Sequence, residues 1–100
     1  MTDVATEQGM AAAAGLGPNA FFQRLDASSE ADWQTAIAFT GAEFGPLHVL
    51  VNNAFRGIGL QTLTATLEAF QSQFTVTTNG VFLGMKHAAP AMTEGGAIIN

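Results

Sequence analysis

Three short apolar runs alternate along the chain with longer segments in which apolar residues recur at helical spacing. Leu and Val dominate Leu47–Val51, a composition typical of a strand buried on both faces of a parallel sheet. Strands are also predicted at Ala20–Leu25 and Gly95–Asn100. Because strands that alternate with helices imply right-handed crossovers, the pattern predicts an α/β fold, with a parallel sheet and flanking helices.

The first two predicted helices carry recognisable start and stop signals. An Ala-rich helix over Val4–Leu16 is followed by glycine and then Pro18, which should end it. The second helix begins at Ser28 or Ser29, with Asp32 at the spacing of a capping box, and Gly45-Pro46 ends it. Its predicted apolar face consists of Trp33, Ile37, Thr40 and Phe44.

Two further helices are predicted over Thr66–Val76 and Thr78–Met92. The first follows a glycine-containing loop that runs from Asn53 to about Thr64. Pro90 lies near the end of the second helix and should kink or terminate it, because proline has no backbone N–H and its ring clashes with the preceding turn.

Composition limits what the chain can be. One hundred residues permit one domain with a modest core, and 11% of the residues are charged against 48% that are hydrophobic. That balance suggests helices and strands that bury surface against more protein than these residues supply. No apolar run reaches the length of a membrane span, and the start lacks the pattern of a secretory signal. The absence of Cys is compatible with a cytoplasmic setting.

Eight acidic residues outnumber three scattered bases, and the net charge is −5. Such a chain has no basic surface for a phosphate backbone, so nucleic-acid binding is disfavoured. His48 and His87 have no third ligand at metal-binding spacing, and no metal site is predicted.

Two places carry candidate binding chemistry. Asn52 and Asn53 end the Leu47–Val51 strand, and in an open parallel sheet ligands lie outside the carboxyl ends of the strands. The pair could equally be turn residues with no ligand. Asp3 stands just before the first helix, where it could be a helix cap or a ligand-binding carboxylate.

Several ordered motifs together resemble the classical short-chain dehydrogenase/reductase family. Val51-Asn52-Asn53-Ala54 resembles the family's Asn-Asn-Ala-Gly motif, and Gly80–Lys86 with Pro90-Ala91-Met92 resembles its long interface helix. Gly95–Asn100 resembles the strand that leads into the catalytic serine, and Asp3-Val4 the end of the second strand. The resemblance covers essentially the whole chain and implies a partial Rossmann-type doubly wound sheet over residues 1–100.

The resemblance also implies roles for particular residues. Asp3 would accept hydrogen bonds from the adenosine ribose and repel a 2′-phosphate, which favours NAD over NADP. Asp26, with the backbone of Ala27 beside it, would face the adenine. Asn53 and Ala54 would line the nicotinamide ribose. The implied reaction is hydride transfer between nicotinamide and a small-molecule secondary alcohol or its ketone.

The departures from the family pattern remove its catalytic groups. Phe55 stands where the motif has Gly, His48 replaces an acidic residue, and Thr77 occupies the place of the catalytic Asn. Asn79 lies two residues further on, on another helical face, and is not assigned that role. The family's chemistry uses a Ser, a Tyr and a Lys, but the chain has no Tyr, and Lys86 lies mid-helix. No catalytic residue is therefore predicted.

We expect these residues to be an internal slice of the family fold, truncated at both ends and inactive alone. No glycine-rich phosphate turn precedes Asp3, and Gly57-Ile58-Gly59 does not open a helix. The strands at 20–25 and 47–51 should then be separated by a gap two strands wide, so that the chain either closes up in a non-native pairing or is partly ordered. The alternative is that the chain has a non-catalytic role in binding or oligomerisation. In either case we expect a homo-oligomer that forms through the helices at 66–76 and 78–92.

Overall fold

The structure, a computed structural model, describes residues 1–57, 59 and 61–100. Ile58 and Leu60, in the predicted loop before Thr64, lie outside the described residues. The elements are β1 Thr2–Asp3, α1 Thr6–Leu16, β2 Gln23–Arg24, α2 Glu30–Phe44, β3 Val49–Val51, α3 Leu67–Phe74, α4 Gly80–Ala88 and β4 Ala97–Ile99. The predicted alternation of helices with short parallel strands is confirmed, and each strand is shorter than its apolar run.

The strands form two separate parallel pairs within the described residues. In the first pair Asp3 lies opposite Arg24, and in the second Leu50 lies opposite Ile98. Among these residues the strands at 20–25 and 47–51 do not pair with each other, so the expected closing-up is not observed, and partial order of the isolated chain stays a prediction. β1 lies beside β2, and the backbone N–H of Leu25 extends this pair by donating to the carbonyl of Asp3 at 3.1 Å.

Helices α2 and α4 hold the two strand pairs in one body. The buried core cluster is Leu25, Ala27, Trp33 and Ala36, with Leu50, Val76 and Leu83 packed against it. Leu25 follows β2 and Leu50 lies in β3, so both pairs contact the same cluster around Trp33. Outside the core, Glu30 at the start of α2 accepts hydrogen bonds from Lys86 and His87 of α4, at 2.6 and 2.9 Å.

Local capping explains where the helices begin and end. The Ser29 hydroxyl accepts a hydrogen bond from the Asp32 backbone N–H at 3.2 Å, and the Thr66 hydroxyl accepts one from that of Ala69 at 3.1 Å. Gly17 and Gly45 follow α1 and α2 with φ of 96° and 78°, a conformation that favours glycine. Of the two serines predicted to begin α2, Ser29 is therefore the one that caps it.

The helices predicted over 66–76 and 78–92 form one uninterrupted helical run. A π-helical turn over Thr75–Asn79 joins α3 to α4, so the predicted break before Thr78 is wrong. A 3-10 turn over Ala89–Ala91 ends the run at Pro90, as expected. Among the described residues, no helix combines the length and apolar character that crossing a bilayer requires.

One face of the second strand pair is bare, which corrects the expectation that Leu47–Val51 is buried on both faces. Val49 and Val51 are 53% and 56% exposed, and their partners Ala97 and Ile99 are exposed beside them. Leu50 and Ile98 point to the opposite, helix-covered side, because side chains alternate along a strand. The strand is therefore apolar on both faces, but helices cover only one of them.

Candidate functional site

All five residues predicted to bind a cofactor line one cleft between the two strand pairs. The cleft has a volume of about 640 Å³, and its walls include residues at the carboxyl ends of β1, β2 and β3. The five are Asp3, Asp26, Ala27, Asn53 and Ala54. This is the edge at which parallel sheets place ligands, because each strand leads there into a loop rather than into another hydrogen-bonded residue.

Asp3 ends β1 and opens the turn into α1. Its Oδ1 accepts a hydrogen bond from the backbone N–H of Ala5 at 2.9 Å. The residue at the cap position of α1 is Ala5, which has no side-chain cap hydrogen bond, so the alternative that Asp3 caps this helix is wrong and its carboxylate instead bonds to the backbone just before the helix. Asp3 is exposed and borders the cleft, so its hydrogen bond to Ala5 and a role toward a ligand are compatible.

The carboxylate of Asp26 is oriented by Ser28. Asp26 Oδ1 accepts from the backbone N–H of Ser28 at 2.9 Å and from its hydroxyl at 2.6 Å. These two hydrogen bonds hold the pKa of Asp26 below its ordinary value of 3.8. Partial burial and the neighbouring Asp32 carboxylate act in the opposite direction, but their effect on the pKa is smaller. The side chain is therefore a fixed, ionised acceptor at the cleft wall at neutral pH.

Asp32 contacts the predicted site residue Asp26, although the sequence pattern identified it solely as part of a helix cap. Its Oδ2 accepts from the backbone N–H of Asp26 at 2.9 Å and from the Arg24 guanidinium at 2.7 Å. Its Oδ1 accepts from the Ser29 hydroxyl at 2.9 Å. The hydrogen bond from Asp26, followed by that from Ser29, holds the pKa of Asp32 below its ordinary value. One side chain thus fixes the Asp26 loop, the start of α2 and the Arg24 side chain.

Ala27 is buried at the floor of the cleft. Its carbonyl accepts a hydrogen bond from Trp33 Nε1 at 3.0 Å, which satisfies that oxygen. Gly80 of α4 lies so close that a Cβ there would come within 3.0 Å of the Ala27 Cβ. The floor is therefore set by direct packing of α2 and α4 against the loop after β2.

The two adjacent asparagines do different things. The Asn52 amide donates to Asn100 Oδ1 at 2.7 Å, and its backbone N–H donates to Ile99, so Asn52 ties the ends of β3 and β4 together. Gly84 makes room for it, since a Cβ at that position would lie 2.5 Å from Asn52 Oδ1. Asn53 makes no hydrogen bond to another of the described residues and borders the cleft.

Two of the positions that depart from the family pattern, Phe55 and Thr77, lie at or near the β3 end of the cleft, whereas His48 precedes β3 and is not among the cleft residues. Phe55 borders the cleft with 75% of its surface exposed, and no described non-glycine residue has a positive φ, so the missing glycine imposes no strain. Thr77, in the π-helical turn, accepts a hydrogen bond from the backbone N–H of Arg56 at 3.3 Å. Asn79 is exposed in the same turn and is not among the cleft residues.

Two parallel strand pairs with helices and a cleft at the strand ends define an α/β protein of the doubly wound class. A family model with the description Enoyl-(Acyl carrier protein) reductase matches residues 1–100. The chain is 40% identical over 100 residues to 3-beta-hydroxysteroid dehydrogenase of Comamonas testosteroni, covering 99% of this chain and 39% of that relative. It is 37% identical over 98 residues to zerumbone synthase of Zingiber zerumbet, covering 92% and 36%.

Solved structures agree with this assignment. A short-chain dehydrogenase/reductase, glucose/ribitol dehydrogenase, of Brucella melitensis has a TM-score of 0.86 at 28% identity, covering 91% of this chain and 38% of that one. Serine dehydrogenase of Escherichia coli has a TM-score of 0.88 at 26% identity, covering 99% and 47%. The chain belongs to the short-chain dehydrogenase/reductase family, a family of oxidoreductases. It spans about two fifths of the length of the curated relatives it matches.

Replacing Ser28 by alanine should raise the pKa of Asp26 toward its ordinary value of 3.8, because the hydroxyl is the largest influence that lowers it. The measurement is an NMR titration of the Asp26 carboxyl carbon in both proteins. A lowered folded-state pKa contributes stability that is complete above 3.8 and is lost as the pH falls through the folded-state value. The variant should therefore lose less stability on acidification. An unchanged Asp26 pKa in the variant contradicts this orientation by Ser28.

Proposed function

We propose that this chain is part of an NAD-dependent oxidoreductase that transfers a hydride between nicotinamide and a secondary alcohol or the corresponding ketone. The observation that carries the proposal is that Asp3, Asp26 and Asn53, from three separate strand ends, line one cleft. Family membership supports it, as do relatives whose names describe dehydrogenases of hydroxysteroids and of a hydroxycyclohexane carboxylate. Those names make cyclic secondary alcohols the first substrates to test.

The residues present fit the adenosine and nicotinamide-ribose parts of a dinucleotide. Asp26 has one carboxylate oxygen engaged by Ser28, and the second can accept a hydrogen bond from an adenine amino group. When bound, the cofactor supplies the hydride acceptor or donor.

In this proposal the chain's own residues bind and orient the cofactor. The Asp3 carboxylate accepts hydrogen bonds from ribose hydroxyls, and its charge opposes a 2′-phosphate, which favours NAD over NADP. Asn53 and Ala54 border the nicotinamide ribose. Asp32 and Ser28 hold Asp26 in place, so its carboxylate does not have to be ordered when a ligand binds.

Proton transfer to or from the alcohol needs a group that these residues lack. The chain has no Tyr, and Lys86 bonds to Glu30 on the outside of the helices rather than lining the cleft. We therefore expect the purified chain to bind NAD without turning over alcohols. The test is an NAD titration followed by absorbance at the reduced-nicotinamide band with a panel of hydroxysteroids and cyclohexanols. Reproducible turnover would contradict the expected inactivity. Absence of NAD binding would contradict the proposal that the cleft binds the cofactor.

A second candidate, a non-catalytic oligomerisation piece, is favoured by the apolar surface of α3 and α4. Phe70, Phe74 and Phe82 are 50%, 49% and 59% exposed. We propose homo-oligomerisation through the helices at 66–76 and 78–92, since exposed aromatic patches of this kind mark interaction sites. Light scattering on the chain with and without NAD separates the candidates, because association without cofactor binding supports this one. The cytoplasmic location expected from the sequence stays a prediction.

A further inference from the structure

The first strand pair places two opposite charges side by side at the edge of the cleft. Asp3 in β1 lies opposite Arg24 in β2, and both residues border the cleft. Register partners on neighbouring strands point to the same face of a sheet, and the strands lie about 4.8 Å apart. The long side chain of Arg24 could therefore pair with the Asp3 carboxylate.

The structure pairs Arg24 with a different carboxylate. Arg24 Nη1 donates to Asp32 Oδ2 at 2.7 Å, and no salt bridge within the described part of the chain includes Asp3. Asp32 lies in the first turn of α2 and is not among the cleft residues. The guanidinium is therefore held against the start of α2 rather than against its register partner.

Other hydrogen bonds keep the Asp32 carboxylate in position to hold Arg24. Its Oδ2 also accepts from the backbone N–H of Asp26 at 2.9 Å, and its Oδ1 accepts from the Ser29 hydroxyl at 2.9 Å. The Asp32 side chain is 25% exposed, against 53% for Arg24. Because this carboxylate is already ordered, the ion pair has to immobilise only one flexible side chain, which lowers its entropic cost.

We propose that Asp32 is a positioning residue for cofactor choice, which favours NAD over NADP by holding Arg24 away from the cofactor's adenosine ribose. Arginine presents a planar fork of donors that matches phosphate oxygens. If Asp32 releases Arg24, the guanidinium either pairs with Asp3 and cancels its charge or binds a 2′-phosphate directly, and both outcomes favour NADP. The inference rests on the proposed function, because it assumes that a dinucleotide places its adenosine ribose at Asp3.

The test is a double-substitution cycle that measures the ratio of NAD affinity to NADP affinity. Both affinities are determined by calorimetry on the intact chain, on Asp32→Asn, on Arg24→Gln and on the variant with both substitutions. Asp32→Asn should shift the ratio about tenfold toward NADP, the size expected when a hydrogen bond to a charged group is gained. Arg24→Gln and the double variant should keep the wild-type ratio, because neither has a guanidinium to release.

Two controls separate this effect from general charge and from misfolding. Glu30→Gln removes one negative charge from the same first turn, at a residue outside the cleft that bonds to Lys86 and His87, and it should keep the wild-type ratio. A displaced Asp26 loop would weaken NAD and NADP alike, because both contain the same adenine. If Asp32→Asn lacks the wild-type circular dichroism spectrum, Asp32→Ser replaces it in the cycle.

The outcomes distinguish this inference from the proposed function. An unchanged ratio in Asp32→Asn overturns the inference, while NAD binding by the wild type leaves the proposed function standing. A shift that persists in the double variant, or that Glu30→Gln reproduces, also overturns it, because Arg24 is then not the cause. A shift toward NAD in Arg24→Gln alone contradicts it too, since the guanidinium then already acts on the cofactor. If the wild-type chain binds neither NAD nor NADP, the proposed function fails first and the inference fails with it.

Discussion

Trp33→Ala should destabilise the chain by about 3–5 kcal/mol, the usual cost of removing a large buried aromatic side chain. Trp33 is 7% exposed and is the largest member of the cluster through which both strand pairs contact α2. Since whole domains have unfolding free energies of about 5–15 kcal/mol, the variant should lose most of its cooperative transition. The measurement is urea unfolding followed by far-UV circular dichroism.

Trp33→Phe is the matched control. It keeps most of the apolar volume but removes the Nε1 donor, which leaves the Ala27 carbonyl without its partner at 3.0 Å. That loss should cost about 1–3 kcal/mol, less than the alanine variant. Equal unfolding midpoints for the wild type and Trp33→Ala would show that the cluster around Trp33 does not hold the two strand pairs together.

Asp3→Asn should reduce the preference of the cleft for NAD over NADP by about tenfold. The substitution removes the negative charge, and two like charges a few ångströms apart near a protein surface repel by about 1–4 kcal/mol, where 1.4 kcal/mol is a factor of ten. The amide oxygen can still accept the hydrogen bond from Ala5, so the start of α1 should be preserved. The measurement is a pair of calorimetric titrations, with NAD and with NADP.

Glu7→Gln is the control for this substitution, because it removes one negative charge from the first turn of the same helix at a residue that is not part of the cleft. It should leave the ratio of the two affinities unchanged. If Asp3→Asn leaves the ratio unchanged too, the carboxylate does not face the ribose. If both substitutions change it equally, overall charge rather than the position of Asp3 sets the preference.

The strand ends could be predicted from the sequence because each depends on local features. Leu and Val followed by two asparagines locate the end of β3, and Ser29 with Asp32 three residues later locates the start of α2. The family resemblance is what assigns Asp3 and Asp26 to one site, and the assignment is physically sensible because the carboxyl ends of parallel strands share an edge.

What could not be predicted depends on contacts between distant segments. Spacing identifies Asp32 as a cap but does not show that its second oxygen reaches Arg24 and the Asp26 backbone. The hydrogen bond from Arg56 to Thr77 joins residues 21 positions apart. Phe44 continues the periodic face of α2, yet it is 51% exposed and packs edge-on against Phe21 at 5.1 Å between ring centroids. Periodicity defines a helix face without showing how far along it the core extends.

The most direct test of the account is an NMR titration of the isotope-labelled chain with ADP-ribose. The central claim is that the ends of β1, β2 and β3 form one cofactor cleft, with Asp3, Asp26 and Asn53 around it. The account predicts saturable shifts of the backbone amides of these three residues with a single dissociation constant, and little change in α1 beyond its first turn. Shifts confined to one strand end, different dissociation constants at the three residues, or no shifts at millimolar ligand would contradict it.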